Sequence, residues 1–513
     1  MSSTQNTTSD PANRPHAALI IIGHGSTVNP DSSAPTLDHA ERIRRAGNFG
    51  EVACAFWKEE PSMREVFTML ESNLIYIVPN FISEGYFTRE VLPRELELDG
   101  PVSRRDDRTL CYCDPVGIHP TMTRLLLQRA DELAPGIDRG QCALIIVGHG
   151  TSLNDQSTLA IKDQVRRIKD GNHGFADVID AYMEEAPLIA EWDHLTTAEH
   201  VLVVPFFIAD GLHSYQDIPV LLGMETEPTA AASERGVVRH EPRRLRDRWL
   251  HYSAAIGTEP DMADVILDQV GEFDRQHAEA LAAAPDRGNE DALDEALLKW
   301  LDQGCHGIGQ IHISRSDDCF RLCHEDDVEE MNRAELEAHH GPDAARHLAL
   351  HDDQGAYRPL KTAPTLKHGW ELQVANAREL RLALDAFYPA AVGMWLRESQ
   401  NRLHTVPLRT TLKRQTGMYK FSGNISHEGA IEMVRSNCRH DKCLRKVRWD
   451  IEPGEGNPAL DAEDTDPATP PWGRESGRIP LLCMEICCHV VDAARKIARD
   501  EFNRSQKSGE SAS

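Results

Sequence analysis

Two groups of residues have the types and spacing for chemistry. The first is a set of histidines and carboxylates: His24 in Gly23-His24-Gly25, His149 in Gly148-His149-Gly150, Glu184 shortly before Pro187, and His213 four positions before Asp217. Neutral imidazole is a ligand for divalent cobalt or iron, and a neighbouring carboxylate ligates a metal or accepts a proton. The second group is cysteine. Cys438 and Cys443 are followed 40 positions later by Cys483 and by Cys487 beside Cys488, with a Pro/Gly/Asp-rich stretch over 452–480 between the pairs. Two such pairs closed by a loop supply the four thiolates of a [4Fe–4S] cluster. Zinc is the rival occupant, but four-cysteine zinc ribbons usually carry Cys-x2-Cys knuckles. The expected cluster ligands are Cys438, Cys443, Cys483 and Cys487, with Cys488 the alternative to Cys487.

The histidines sit in an internal repeat. Ala18 to Ser26, through Gly-His24-Gly, returns as Ala143 to Thr151 through Gly-His149-Gly. Ala55-Phe56 through Pro61 returns as Ala181-Tyr182 through Pro187, and Val78-Pro79 through Gly85 returns as Val204-Pro205 through Gly211. Three blocks in one order and nearly one spacing make residues 15–137 and 138–258 two copies of one domain. Continuous β-branched runs separated by helical patterns, such as 158–169, predict buried parallel strands in βαβ units. In open α/β sheets the ligand crevice lies beyond the carboxyl ends of the strands, where His24, His149 and the loops after Pro79 and Pro205 fall.

The Gly-His-Gly-Ser/Thr strand ends, the strand leading to Glu184 and Pro187, and Pro205 to Pro219 with Gly211, His213 and Asp217 together resemble the class II tetrapyrrole chelatases of the CbiX sirohydrochlorin type. The resemblance covers about half of the chain. It implies insertion of Co(II) or Fe(II) into sirohydrochlorin without ATP, in cobalamin or sirohaem biosynthesis. It also implies His149 and His213 as the metal-holding pair and Glu184 as the acidic partner that assists proton removal. In the first copy Phe87, Lys58 and Val91 stand where His213, Glu184 and Asp217 stand in the second. A single centre built mainly from the second copy is therefore expected, with His24 either an accessory ligand or a residue that holds its own loop. The carboxylates of such a substrate call for local cations, and Arg89 is the candidate. The cysteine spacings resemble the cluster motif of sirohaem sulfite and nitrite reductases, and the order of parts resembles CbiX-like proteins with a C-terminal iron–sulfur module.

At 513 residues the chain is long enough for several domains. A formal charge of -27 argues against a nucleic-acid partner, which needs a basic surface. No apolar run reaches membrane-spanning length and residues 1–16 lack a signal-peptide pattern, so a cytoplasmic protein without a membrane partner is expected, its cysteines reduced. The organisation read from sequence is a disordered tail over 1–14, the two α/β copies, a helical connector over 259–294, a small α+β domain over 295–398, a cysteine-ligated iron–sulfur domain over 399–505 and a second tail over 506–513. The expected partners are a tetrapyrrole substrate and an electron-transfer partner for the cluster. Two further readings use the same residues: a carrier that binds metal or tetrapyrrole without turnover, and an iron–sulfur oxidoreductase acting on a tetrapyrrole.

Overall fold

The computed structural model describes residues 13–150, 155–227, 241–282, 292–316, 318–333, 336–439, 441–460 and 477–510. Thr151, the segments 1–12 and 511–513, and most of the loop between the cysteine pairs lie outside the described residues. The chain forms two compact units, Met1–Phe56 with Ser72–Glu290, and Trp57–Glu71 with Asp291–Ser513. No described helix is long and apolar enough to cross a membrane.

Among the described residues the first unit holds two five-stranded sheets of identical topology. Strands β1 (Arg14–Gly23), β2 (Phe49–Phe56), β3 (Leu74–Pro79), β4 (Val102–Arg105) and β5 (Arg108–Tyr112) take the order β2-β1-β3-β5-β4. Strands β6 (Cys142–Gly148), β7 (Asp177–Tyr182), β8 (His200–Pro205), β9 (Arg243–Leu245) and β10 (Arg248–Tyr252) repeat it as β7-β6-β8-β10-β9. Pairing is parallel except at the edge strands β4 and β9, which are joined to β5 and β10 by short hairpins. The central strands are covered on both faces, so Leu19 to Ile22 and Leu144 to Val147 are all buried, which is why they read as unbroken apolar runs. Both Gly-His-Gly segments follow the carboxyl ends of these central strands.

The last helix of each copy covers the other copy's sheet. Helix Thr121–Leu133 follows β5 yet packs against β8 and against helix Asp155–Asp170. Helix Met262–Gln276 follows β10 yet packs against β3 and against helix Ala34–Ala46. Polar contacts fix the exchange: Thr123 Oγ1 donates to Gln164 Oε1 at 2.6 Å, Gln269 Nε2 donates to the Pro115 carbonyl at 2.7 Å, and Tyr76 donates to Asp274 at 2.6 Å. Buried Arg129 pairs with buried Glu259. The expected connector is thus corrected: its first half, Met262–Gln276, belongs to the second copy. Helical spacing shows an amphipathic helix but not the sheet that receives it.

The second unit contains a six-stranded sheet among the described residues, from β11 (Gly307–Ile308), β12 (Ile311–Arg315), β13 (Phe320–His324), β14 (Glu337–His340) and β15 (Trp370–Val374). A separate pair joins β16 (Lys446–Val447) to β18 (Leu482–Cys483). The sixth strand is β17 (Arg478–Ile479), which pairs with β11, so the C-terminal region completes the accessory sheet rather than standing apart from it. A two-residue strand carries no readable alternation, which is why the sequence divides these parts. Residues 57–71, expected inside the first copy, belong to this unit, and helix Cys488–Glu510 runs through the start of the expected C-terminal tail.

Gly117 and Gly257 occupy equivalent turns, and their amides donate to the Phe81 and Phe207 carbonyls at 3.0 and 2.9 Å. A Cβ at either would overlap backbone, that of Ile82 or of Ile208. Gly257→Ala is expected to destabilise the first unit by about 1–3 kcal/mol, the usual cost of overpacking. Gly100→Ala, where nothing lies within 4 Å of the added carbon, serves as the unchanged control in thermal melts.

Candidate functional site

The strand ends of the second copy build one polar centre. His149 follows β6 at Gly148, and its Nδ1 lies 3.0 Å from the Gly150 carbonyl oxygen. The turn after β7 closes back onto it, because the amides of Met183 and Glu184 each donate to the His149 carbonyl at 3.1 Å. That clamp leaves Glu184 Oε1 3.8 Å from His149 Nε2.

His213 comes from the loop after β8, which is held at several points. The Phe206 amide donates to the Val147 carbonyl at 2.8 Å, the Gly257 amide to Phe207, and the Ala255 amide to Asp210 Oδ1 at 2.8 Å. Tyr252 donates to the Ser214 carbonyl at 2.8 Å. His213 opens the π-helical turn His213–Asp217, a geometry that brings its Nδ1 within 2.7 Å of Asp217 Oδ2. A carboxylate behind an imidazole fixes the ring and leaves the other nitrogen for a metal. The rings of His149 and His213 meet edge to face with centroids 4.8 Å apart. The sequence marks Asp217 only as part of a motif; its orienting contact appears with the turn.

The side chains of His149, Glu184 and His213 are 35%, 62% and 46% exposed, so a macrocycle and a hydrated ion can both reach them. Two imidazoles and a carboxylate can hold a divalent ion and release it, as chelation requires.

The first copy keeps only part of this arrangement. His24 Nδ1 lies 2.9 Å from the Gly25 carbonyl oxygen, repeating His149, but its ring faces Phe87 at 5.9 Å rather than a second histidine. Phe87 also packs against Phe81 at 5.2 Å. Arg89, the expected substrate cation, is ion-paired to Glu84. Lys58, at the position of Glu184, belongs to the second unit, where its ammonium lies 4.0 Å from the centroid of the Tyr419 ring.

In the second unit Cys438, Cys443, Cys483 and Cys487 line one cavity of about 180 Å³ together with Trp449, Val447 and Val490. Cys488 is not among its lining residues, and its thiol donates to the Lys58 carbonyl at 3.2 Å. Burial pushes the thiols of Cys438, Cys443 and Cys487 up and that of Cys483 up to about 12. Metal-free, they are protonated at neutral pH, and iron must displace their protons. Trp449 Nε1 donates to Cys483 Sγ at 3.2 Å, and the buried Arg445 beside them pairs with Glu60 at 3.0 Å and with Glu65. Four convergent sulfurs, an N–H donor to one of them and a nearby cation fit an anionic iron–sulfur cluster. Nearby Arg448 pairs with Glu398 at 2.6 Å.

Comparison with known proteins adds three family matches: CbiX over residues 18–133 and 143–273, the DR2241 stabilising domain over 293–399, and a 4Fe-4S iron-sulfur cluster binding domain over 400–496. A probable sirohydrochlorin cobaltochelatase of Halobacterium salinarum is 38% identical over 276 residues, 50% of this chain and 91% of that protein. A sirohydrochlorin cobaltochelatase of Methanopyrus kandleri is 27% identical over 139 residues, 25% of this chain and 95% of that protein. The crystal structure of DR2241 from Deinococcus radiodurans, described as a multi-domain protein similar to chelatases with two additional domains, aligns with a TM-score of 0.76 and 25% identity, covering 94% of this chain and 99% of that one. With both repeats matched and nearly the whole of the halobacterial relative covered, the chain belongs to the CbiX family of chelatases, in a two-repeat form that carries a C-terminal 4Fe–4S cluster-binding domain.

Proposed function

We propose that the protein inserts a divalent metal, cobalt in the first instance, into sirohydrochlorin at the centre formed by His149, Glu184 and His213. The observation that carries this reading is the edge-to-face pair of His149 and His213, each ring tethered through Nδ1, beside the Glu184 carboxylate. The cobaltochelatases among its relatives favour cobalt over iron, although imidazole and carboxylate bind both.

In this mechanism His149 and His213 take the ion through their Nε2 atoms and strip part of its water shell. The macrocycle then docks over the open strand ends. As its nitrogens replace the histidines, two pyrrole protons leave, and Glu184 accepts them in turn and passes them to solvent. Charge balances, because one M(II) enters as two protons depart. Asp217 acts through His213 as a positioning residue, and His24 lies outside the metal-holding pair.

Cys438, Cys443, Cys483 and Cys487 are the ligands in this reading, supplied by the shared cavity lining. The cluster, when bound, supplies one-electron chemistry, and the chain's own contribution is the Trp449 hydrogen bond and the Arg445 cation.

Conversion of sirohydrochlorin with Co(II), followed anaerobically by absorbance, tests the first assignment. His213→Ala is expected to abolish acceleration over the metal-only background, and Glu184→Gln to lower turnover by about 10²-fold or more, the usual worth of a positioned base. Bound pigment with no acceleration by the native protein would overturn the reading in favour of a carrier. Asp217→Asn is expected to weaken metal affinity by about 10–100-fold with the fold intact, measured by cobalt titration. For the cluster, Cys487→Ser is expected to lose iron and visible absorption, and Cys488→Ser to keep both; the reverse pattern would exchange the two assignments.

A further inference from the structure

At one end of the six-stranded sheet, three side chains converge that neither chelation nor the cluster uses. His324 is the last residue of β13, Asp326 lies in the turn Glu325–Asp327 that follows it, and His368 lies in the loop entering β15. β13 and β15 are paired through Cys323 and Glu371, so the topology brings residues 44 positions apart to one strand end. One ligand atom from each of the three lies within 4.8 Å of the others, and the two imidazole centroids are 3.8 Å apart.

The surroundings resemble a prepared ligand shell. Asp327 accepts the Gly369 amide through Oδ2 at 2.7 Å and presents Oδ1 3.5 Å from His368 Nδ1. A carboxylate at the back of an imidazole orients it toward a metal on its far side. His324 is 1% exposed, and its Nδ1 accepts the Asp326 amide at 3.2 Å. That same Nδ1 also lies 3.6 Å from Asp326 Oδ2, so its lone pair is the one that faces the carboxylate.

We propose that His324, His368 and Asp326 form a second metal site, separate from the chelation centre, for a divalent first-row transition ion. Two imidazoles and one carboxylate suit Zn(II), Co(II), Fe(II) or Ni(II), with water completing the shell. Ligand bonds of about 2.0–2.2 Å require the donors to draw together from their present spacing. Asp326 and His368 have side chains 73% and 47% exposed and can rotate inward onto the fixed His324.

The test uses the full chain with its cluster loaded and the His149→Ala/His213→Ala background, which removes the chelation pair. After anaerobic equilibration with Co(II) and gel filtration, bound cobalt is counted by mass spectrometry and its visible ligand-field absorption recorded. About one cobalt per chain is expected, lost on adding Asp326→Ala and His368→Ala. Both substitutions fall on exposed side chains, and far-UV circular dichroism checks that the fold persists. Cobalt retained in the four-site variant, or none bound in the background variant, would overturn the proposal. Failure of the chelation reading is read separately, as absence of turnover in the native protein.

Discussion

The exchange of terminal helices between the two sheets is the constraint on which the first unit depends. A parallel sheet buried on both faces needs helices on each side, and here each copy takes one of its covering helices from the other. The Thr121–Leu133 helix covers the second sheet and the Met262–Gln276 helix the first, with Arg129 and Glu259 buried between them. His39 Nε2 lies 2.8 Å from the Gly257 carbonyl oxygen, and His251 Nδ1 2.8 Å from that of Leu133, so each copy also places imidazoles against the other's turns. Separating the copies would uncover both cores at once. The geometry of the proposed centre is inherited from this, since the turn carrying Gly257 also pins the loop that leads to His213.

Preorganisation distinguishes the centre proposed in the second copy. The loop after β8 is tied by backbone amides, a buried Asp210 and Tyr252, and these leave His213 little freedom except ring rotation, which Asp217 then removes. In the first copy the same π-helical turn is present over Phe87–Val91, with Tyr112 donating to the Thr88 carbonyl at 2.6 Å. The scaffold is therefore retained while its ligand is replaced by an aromatic ring. Fold and site are separable here, because the backbone geometry does not require a histidine.

Much of this is legible in the sequence. Repeated Gly-His-Gly segments and the recurrent Val-Pro blocks announce two copies of one α/β fold, and the cysteine spacings announce a cluster. Contacts made over long separations with little local pattern are not legible. Met262–Gln276 looks like a connector because its partner surface lies on β3, nearly 190 positions earlier. β17 is two residues long, below the length at which alternation exists. His324 and His368 stand too far apart to form a motif, whereas the more conspicuous Cys319 and Cys323 are spaced like half of a metal site but have no second pair near them in the sequence. Cys323 is buried, with its thiol pushed up to about 12, and Cys319 meets the Ser316 hydroxyl at 3.5 Å.

The segment after β2 shows how the asymmetry between the copies is fixed. In the second copy the equivalent turn presents Glu184 to His149. In the first, residues 57–71 leave to join the second unit, and the carboxylates they carry, Glu60 and Glu65, close around Arg445. Glu60 also accepts the Lys361 amide at 2.8 Å, and Glu59 accepts the Tyr357 hydroxyl. Burial favours the neutral form of Glu60, and Arg445 opposes it. Removing one member of such a buried set leaves an uncompensated charge, at a cost of about 3–5 kcal/mol. The segment is held in the second unit by that cost. One copy keeps its turn beside its strand-end histidine, and the other gives its turn to the shell around the cluster thiols.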